Sequence, residues 1–567
     1  MSSVSFSVRR AVRSLAAVHC LCAGTAAWAQ GVPPVPDAGT VLRQIQSAPP
    51  APAIKPTAPD IEVFSATPIV TQGGVTVDVQ RFELIGVSLG DEQSLQQVLL
   101  PYVGGGRTLT DLEAAAGAVT AELRHRGLFL AQTIVPEQRL KDGVVQLQVF
   151  EGRLGEVTAN FQPGVRVSRA LVESTIEPLR EEPLIRRVPI EDVLLRLSDL
   201  RGIALRSTLQ PGEQPGTADL AIHVEPGDRY VAAVEYDNAG TLYTGRDRVR
   251  GSLDVFGIAG RGDVASVRAQ ASSGTRYVQA SWMTPVNGRG TRVGPAAAWL
   301  HYKLGTPQFE PLQAEGSAQL IALQVQHPLK RSRDHNVFLY GSVGEQRFTD
   351  EVNAVGSTSR KRIDGYGSVG FGGEMHDAYA GVNTYSFEVA SGRVVFGDAA
   401  AAALDAQTFG AAGRYARALL SASRLQALTE RDSLLLATQA QWANCNLDSS
   451  QKFSLGGLGA VRGYPPADSP VDDAVTLTWE YRHRLAVALD GQWTASVFGD
   501  YGIGRRQHEP LAADTSNIRR LQSHGLGLTY GSDKGLSVRG FVAWRGNTPA
   551  QSDDSRARAL LQASFSF

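Results

Sequence analysis

From Asp228 to Phe567 helical periodicity largely disappears, and short segments with apolar residues at every second position take its place. Tyr230, Ala232, Val234 and Tyr236 fall on one side of one segment, and Val278, Ala280 and Trp282 on one side of another. In a third, Ala318, Leu320 and Ala322 oppose Ile321, Leu323 and Val325. A period of two sends alternate side chains to opposite faces of a strand. About sixteen such segments can be counted, each near the ~10 residues that cross a bilayer at a tilt. The stretch 228–567 leaves roughly 21 residues for each strand and its connection. Short links such as PVNGRG, KRSRDH and DGQ alternate with longer ones, as periplasmic turns alternate with extracellular loops. The chain ends LLQASFSF, where Phe565 and Phe567 suit a closing strand with an aromatic girdle. The pattern predicts an all-β transmembrane barrel of about 16 antiparallel strands over 228–567. A soluble sandwich or propeller also alternates, but the even count and the missing blade period weigh against it.

The other end reads as a secretory signal over 1–29. Arg9, Arg10 and Arg13 precede the short apolar run Leu15–Trp28, and Ala27-Trp28-Ala29 places cleavage before Gln30. Nothing beyond it holds 18 consecutive apolar residues, so no transmembrane helix is expected. Cys20 and Cys22 leave with the signal, so Cys445 is the one cysteine left and no internal disulfide is expected. The net charge of -1 gives no global footprint for nucleic acid or an anionic surface.

Residues 30–74 form a separate unit. Asp37-Ala38-Gly39 precedes TVLRQIQ, in which Val41, Leu42 and Ile45 are spaced for one helix face. The proline-rich PPAPAIKPTAP follows. The unit is either a mobile helix on a tether or a disordered leader.

Residues 75–152 read as a compact α/β module. VTVDVQRFEL alternates, Ser94–Leu100 fits a short helix, and Thr110 with Asp111 and Glu113 opens a longer one over Leu112–Arg126. Strands follow at LAQTIVP and VVQLQVFEG around the turn Lys141-Asp142-Gly143. Residues 153–227 repeat the order: strand LGEVTANF, a helix from Ser168, a helix Ile190–Leu200, then IALRSTLQP and ADLAIHVEP. The two modules are an internal repeat whose sequences have drifted apart.

Inside the barrel stretch, FSLGGLGAVRGY packs Gly456, Gly457, Gly459 and Gly463 around Arg462. Glycines at that density let a backbone fold back and approach other backbone closely. Its arginine is either a solvated turn residue or a fork reaching for a carboxylate. Asp500, in SVFGDYGIG, interrupts an apolar strand and needs a polar lumen or a cation. Counting strands puts Arg462 in the sixth external loop and Asp500 on the strand after the next, so an inward-folded loop can join them. Glu480, in TWEYRHRL, sits on the intervening strand as a second lumen acid or, the preferred reading, as ordinary charge lining a wet wall.

Together these features resemble the two-partner secretion outer-membrane transporters of the FhaC/ShlB/HecB type (TpsB), relatives of the BamA barrel-assembly proteins. The resemblance spans the mature sequence. It is carried by VPEQRLKDGVVQLQVFEG, LRSTLQPGEQPGTADLAIHV, GIAGRGD, HPLKRSRDHN, FSLGGLGAVRGY and FGDYG. It implies two periplasmic POTRA domains at 75–152 and 153–227, a sixteen-strand barrel at 228–567, and an N-terminal plug helix at about 37–46. It also implies that Arg462, in the motif Val461, Arg462, Gly463, Tyr464, holds the loop against Asp500. Phe453, Gly456, Gly457, Phe498, Gly502 and Glu480 serve as supporting residues, and Phe567 as the C-terminal barrel signal. The implied partners are a secreted exoprotein with an N-terminal secretion domain, outer-membrane lipid, and the barrel-assembly machinery during biogenesis. Departures are the charged REEPLIRR and the acids Asp468, Asp472 and Asp473 after Tyr464, which leave the class intact but not the choice of partner.

The implied activity is nucleotide-free export of an unfolded TpsA-type exoprotein collected by the POTRA domains. GGLGAVRGY lacks the lysine and following helix of a phosphate-binding loop. No cofactor, metal set or catalytic constellation is expected. His301, His327 and His335 share no ligand spacing, there is no GxSxG elbow, and Arg261-Gly262-Asp263 falls on a periplasmic turn. The alternatives are a BamA-type assembly factor, which more often carries a longer POTRA series, and a diffusion porin, which needs no periplasmic modules.

Overall fold

A computed structural model describes residues 36–46, 61–63, 76–88, 92–181, 184–307, 309–354, 358–466, 468–510, 516–553 and 555–567. The signal stretch and the whole of the proline-rich segment PPAPAIKPTAP lie outside the described residues. The first described elements are helix α1 (Ala38–Gln46) and a three-residue strand β1 (Ile61–Val63).

The first module contains β2 (Thr76–Val79), β3 (Arg81–Ile85), α2 (Glu92–Leu99), β4 (Gly104–Thr108), α3 (Leu109–His125), β5 (Gln132–Ile134) and β6 (Val144–Phe150). Its main sheet runs β3-β6-β5, with β3 parallel and β5 antiparallel to β6. Phe82, Leu95, Leu112, Val119 and Leu147 close the core between sheet and helices. Helix α3 starts earlier than its apolar spacing suggests. Thr108 is the N-cap: its hydroxyl accepts the Asp111 amide at 3.2 Å, and the Asp111 carboxylate accepts the Thr108 amide at 2.8 Å. This reciprocal pair satisfies two amides of the open first turn. Thr108→Ala is expected to destabilise the helix start by about 1 kcal/mol, visible as faster amide exchange in the first turn of α3.

The second module contains β7 (Arg153–Phe161), α4 (Arg169–Glu181), α5 (Arg187–Ser198), β8 (Ile203–Pro211) and β9 (Thr217–Pro226). Here β7 is parallel and β8 antiparallel to β9, the same relation as in the first module. Val172, Ile176, Leu194, Leu220 and Ile222 form its core. One element is foreign to the repeat: β1 joins this sheet, parallel to β8.

The barrel takes up the rest of the chain. Its strands are β10 (Tyr230–Asp237), β11 (Arg248–Phe256), β12 (Val264–Ala271), β13 (Thr275–Pro285), β14 (Arg292–Lys303), β15 (Ala314–Lys330), β16 (His335–Val352) and β17 (Thr358–His376). Next come β18 (Gly381–Phe396), β19 (Gly413–Ala427) and β20 (Asp432–Ala443). A long loop carries the short pair β21 (Phe453–Ser454) and β22 (Pro470–Val471). The wall resumes with β23 (Asp473–Ala488), β24 (Gly491–Arg505), β25 (Ile518–Ser532), β26 (Leu536–Arg545) and β27 (Ala557–Ser566). All sixteen wall strands are antiparallel, and β27 pairs with β10 to close the cylinder. Closure removes the open edges that an isolated sheet would expose to lipid. The faces sort as the alternation requires: on β15, Ala318, Leu320 and Ala322 are buried inside, while Ile321, Leu323 and Val325 stand outside. No helix among the described residues is long and apolar enough to cross a membrane.

The second module is clamped to the near rim of the barrel. Arg331, in the β15–β16 turn, donates two bonds to Asp199, at 3.0 and 2.7 Å. Asp263, in the β11–β12 turn, is fully buried and accepts the Ala259 and Arg261 amides and the Trp282 indole. Burial raises its carboxyl, but those donors outweigh burial and the net shift is downward. The Arg261-Gly262-Asp263 triplet is thus a structural turn.

Candidate functional site

Strand β20 is the eleventh to cross, so the 444–472 loop opens on the rim opposite the modules, and the structure folds it back into the lumen. Phe453 pairs with Val471 through β21 and β22, which narrows the neck of the loop. Beyond the neck the backbone reverses at Gly457, whose φ of +113° favours glycine. Leu455, Val461, Tyr464 and Val471 are fully buried in one apolar cluster with Leu521. Tyr464 donates to the Thr548 carbonyl of another loop at 2.9 Å. A Cβ on Gly456 would stand 2.3 Å from the Pro465 carbonyl oxygen, which accounts for a glycine there.

The cluster delivers Arg462 to the inner wall. Its Nη2 and Nε donate to the two Asp500 oxygens at 2.8 and 3.0 Å, and its own amide donates to Asp500 Oδ2 at 3.1 Å. Thr478 and Ser523, on the strands flanking Asp500, complete that carboxylate at 3.0 and 2.8 Å. Arg462 Nη1 reaches Glu480 Oε2 at 2.5 Å. Glu480 also receives Arg482 at 2.8 Å and Arg539 at 3.3 Å. Glu480 is therefore a second ligand of the cation, which corrects its preferred reading as ordinary wall charge. The guanidinium lies over the Phe498 ring, 3.5 Å from its centroid, and Phe541 meets Phe498 edge-on. A planar, five-donor cation fits such a fork; an ammonium does not. Arg462 is 5% exposed, so both ions of each pair have left bulk water.

Two glycines let the loop come this close. A Cβ on Gly502 would lie 2.9 Å from Val461 Cγ2. One on Gly463 would lie 2.7 Å from Ser523 Cβ and 3.1 Å from the Arg545 backbone, which cannot give way cheaply. Gly463→Ala is therefore expected to push the loop off the wall with Arg462 unchanged. Protease cleavage within 444–472 in intact outer membranes checks this; wild-type resistance would refute it.

The acids after Tyr464 turn inward as well. Asp468 accepts the Gln551 and Ser552 amides, Asp472 pairs with Lys452, and Asp473 with Arg505. They fasten the loop to its surroundings. At the far end of the chain, Phe567 packs edge-on against Phe565, and its amide bonds the Ala232 carbonyl beside the β10–β27 seam.

The lumen holds a second insert. Val41 and Leu42 of α1 pack on Leu300, Tyr302, Leu320 and Phe348, an apolar stripe on β14–β16. Asp37 caps the helix through the Thr40 amide at 2.9 Å and pairs with Arg362 and Arg360 at 2.9 and 3.0 Å. Burial opposes the charge on Asp37, but the two guanidinium groups outweigh it and hold the carboxyl far below its usual range. The Ala38 amide donates to Asp350 at 2.7 Å. The loop touches the same set: Ser449 donates to Asp37 at 2.8 Å, and Arg362 reaches Asp448 at 2.5 Å. Helix and loop thus share one charged knot. Asp350, Arg360, Arg362 and Asp448 escaped the sequence reading, because one charge on an inward strand position resembles any other.

Among the described residues no group of three or more His, Cys, Asp or Glu is placed to hold a metal ion.

Compared with known proteins, residues 216–530 match the family model for the haemolysin secretion/activation protein ShlB/FhaC/HecB, and residues 77–152 match the ShlB-type POTRA domain. The chain is 26% identical over 525 residues to the heme/hemopexin transporter protein HuxB of Haemophilus influenzae strain 86-028NP, covering 90% of this chain and 91% of that one. It is 25% identical over 485 residues to the outer membrane transporter CdiB of Escherichia coli O6:K15:H31, covering 81% and 80%. A solved structure of CdiB from Escherichia coli superposes with a TM-score of 0.66 at 21% identity, over 88% of this chain and 93% of that one.

Proposed function

The chain belongs to the haemolysin secretion/activation protein family ShlB/FhaC/HecB, whose members export a partner protein across the outer membrane, and from that premise we propose how this one does so. The passenger is a TpsA-type exoprotein (a haemolysin, adhesin or contact-dependent toxin) with an N-terminal secretion domain. It reaches the periplasm unfolded and meets two POTRA domains, at 75–152 and 153–227. Helix α1 is the resting plug and leaves; the passenger then threads the lumen past the loop held by Arg462. Folding outside makes return unfavourable, so no nucleotide is consumed.

The observation that carries this reading is the pair of inserts, helix and loop, seated in one closed barrel and joined at Arg362 and Asp448. A porin has no use for a lumen so filled, and the main-sheet frame that the two soluble modules share, a parallel and an antiparallel neighbour on one central strand, supports a collecting role for both. The test is co-expression with candidate exoproteins, scoring their appearance in the medium. Deleting 75–227 is expected to stop export while the barrel still inserts. If deletion leaves export intact, the collecting role is rejected. If the intact chain exports nothing but its loss depletes other barrel proteins from the membrane, the BamA-type alternative takes its place.

A further inference from the structure

On the outer side of the barrel wall, one row of positions runs across four strands. Register aligns Glu345 of β16, Gly365 of β17, Arg393 of β18 and Arg414 of β19. Their chain neighbours Gln346, Asp364, Val394 and Tyr415 are buried on the lumen side, so alternation turns these four outward. Arg393 and Arg414 are exposed and directly opposed. Cβ atoms at such positions lie about 4.5–5.5 Å apart, and like charges there repel. No carboxylate among the described residues pairs with either side chain. Glu345, the acid of the row, is held by Arg347 at 2.6 Å. Lys361, four residues above Gly365 on β17 and so about 14 Å from it, is a third exposed cation on this face.

The row stands at a definite depth. Strand β18 is the ninth to cross, so its C-terminal end lies on the rim away from the modules. One outward step below the row come Val343, Gly367, Ser391 and Ala416. The cations therefore lie about 7 Å above the uncharged wall, at the headgroup level of the outer leaflet. Beneath them the wall is bare. A Cβ on Gly365 would meet nothing within 4 Å, and one on Gly367 only the Ser342 carbonyl oxygen at 3.8 Å. The strip leads down to Val369, which opposes Gly341. There a depression of about 350 Å³ opens between Leu323, Val325, Leu339, Val343 and Val369, all of them exposed.

We propose that this face of β15–β19 is a site for one bis-phosphorylated glycolipid of the surrounding leaflet, the lipid A portion of lipopolysaccharide. One phosphate takes the Arg393–Arg414 pair: guanidinium forks match phosphate oxygens, and the anion removes the repulsion between them. Lys361 takes the second phosphate. An acyl chain lies along Gly365 and Gly367 and ends in the depression at Gly341. Charge complementarity selects this occupant. A zwitterionic lipid leaves the arginine pair uncompensated, and a free phosphate gains nothing from the apolar strip. The site requires the outer-membrane location alone and stands apart from the export reading.

Native mass spectrometry of the full chain in detergent, titrated with hexa-acylated lipid A, reads the site. Arg393→Gln combined with Arg414→Gln is expected to weaken lipid A binding at least tenfold. Monophosphoryl lipid A should bind the wild type several-fold more weakly than the bis-phosphorylated form. Gly365→Val fills the strip and leaves every cation in place, and should also weaken binding several-fold. Inorganic phosphate at millimolar concentration should not compete. Heat-modifiable mobility in gels checks that each barrel is folded; if the double variant does not assemble, the Gly365→Val and monophosphoryl arms decide. Equal lipid A binding by the wild type and the double variant overturns the proposal. Phosphatidylglycerol binding as tightly as lipid A also overturns it, by making the patch a general anionic contact, and displacement by inorganic phosphate does so by making it an ion site.

Discussion

Arg462→Ala should abolish export while the barrel still assembles and keeps its heat-modifiable mobility in gels. The substitution leaves Asp500 and Glu480 in place, 5% and 3% exposed, without the cation that both face. Removing one partner of a buried ion pair costs about 3–5 kcal/mol, here borne by the docked loop, because the wall strands keep their own ladder. At about 1.4 kcal/mol per factor of ten, the docked-to-undocked ratio falls by at least two orders of magnitude. Arg462→Lys keeps the charge but loses the two-pronged contact and the stacking on Phe498, so it should retain only a small part of the activity. Adding Asp500→Asn to Arg462→Ala should recover part of the loop protection, because one uncompensated charge disappears; a double-mutant cycle measures the coupling. Wild-type export by Arg462→Ala would remove the loop from the mechanism.

Deleting residues 38–46 should raise single-channel conductance in planar bilayers and sensitise cells to large antibiotics. Seating the helix buries Val41 and Leu42, each contributing about 1.5–3 kcal/mol of apolar transfer, together with the Asp37 ion pairs. The helix is also the part of the lumen filling that is not stitched into the wall by its own chain ends. A point substitution gives the sharper version. A Cβ on Gly39 would lie 2.6 Å from Ser449 Oγ and 2.9 Å from the Ser450 amide. Gly39→Val should therefore unseat the helix from the loop side and reproduce much of the deletion's conductance. Asp37→Asn should do less, since Arg362 keeps Asp350 and Asp448 as partners. Identical conductance in the wild type and the deletion would show that the helix does not obstruct the pore.

The elements were legible in uneven measure. Strand alternation announced the barrel because the two-residue period is local and each wall strand divides lipid from lumen. One feature was missed though its signal was present, and two had none. Asp398 caps helix α6 (Ala399–Thr408) in the β18–β19 loop, and a run of alanines is strong helix former. Strand β4, from the glycine run 104–106, pairs with β2 although its residues disfavour strands. Strand β1 is too short to have any period.

The chain by itself determined which faces of the wall are apolar, how many strands there are, and which loop carries the glycines that permit close approach. Only the closed barrel decided which charges meet. Asp37 and Arg362 are 325 positions apart in number, and Arg462 reaches two acids on different strands, yet none of these partnerships has a local period. A carboxylate on an inward strand position reads the same whether it faces water or a guanidinium, because its cost and its compensation depend on what the folded lumen brings opposite it.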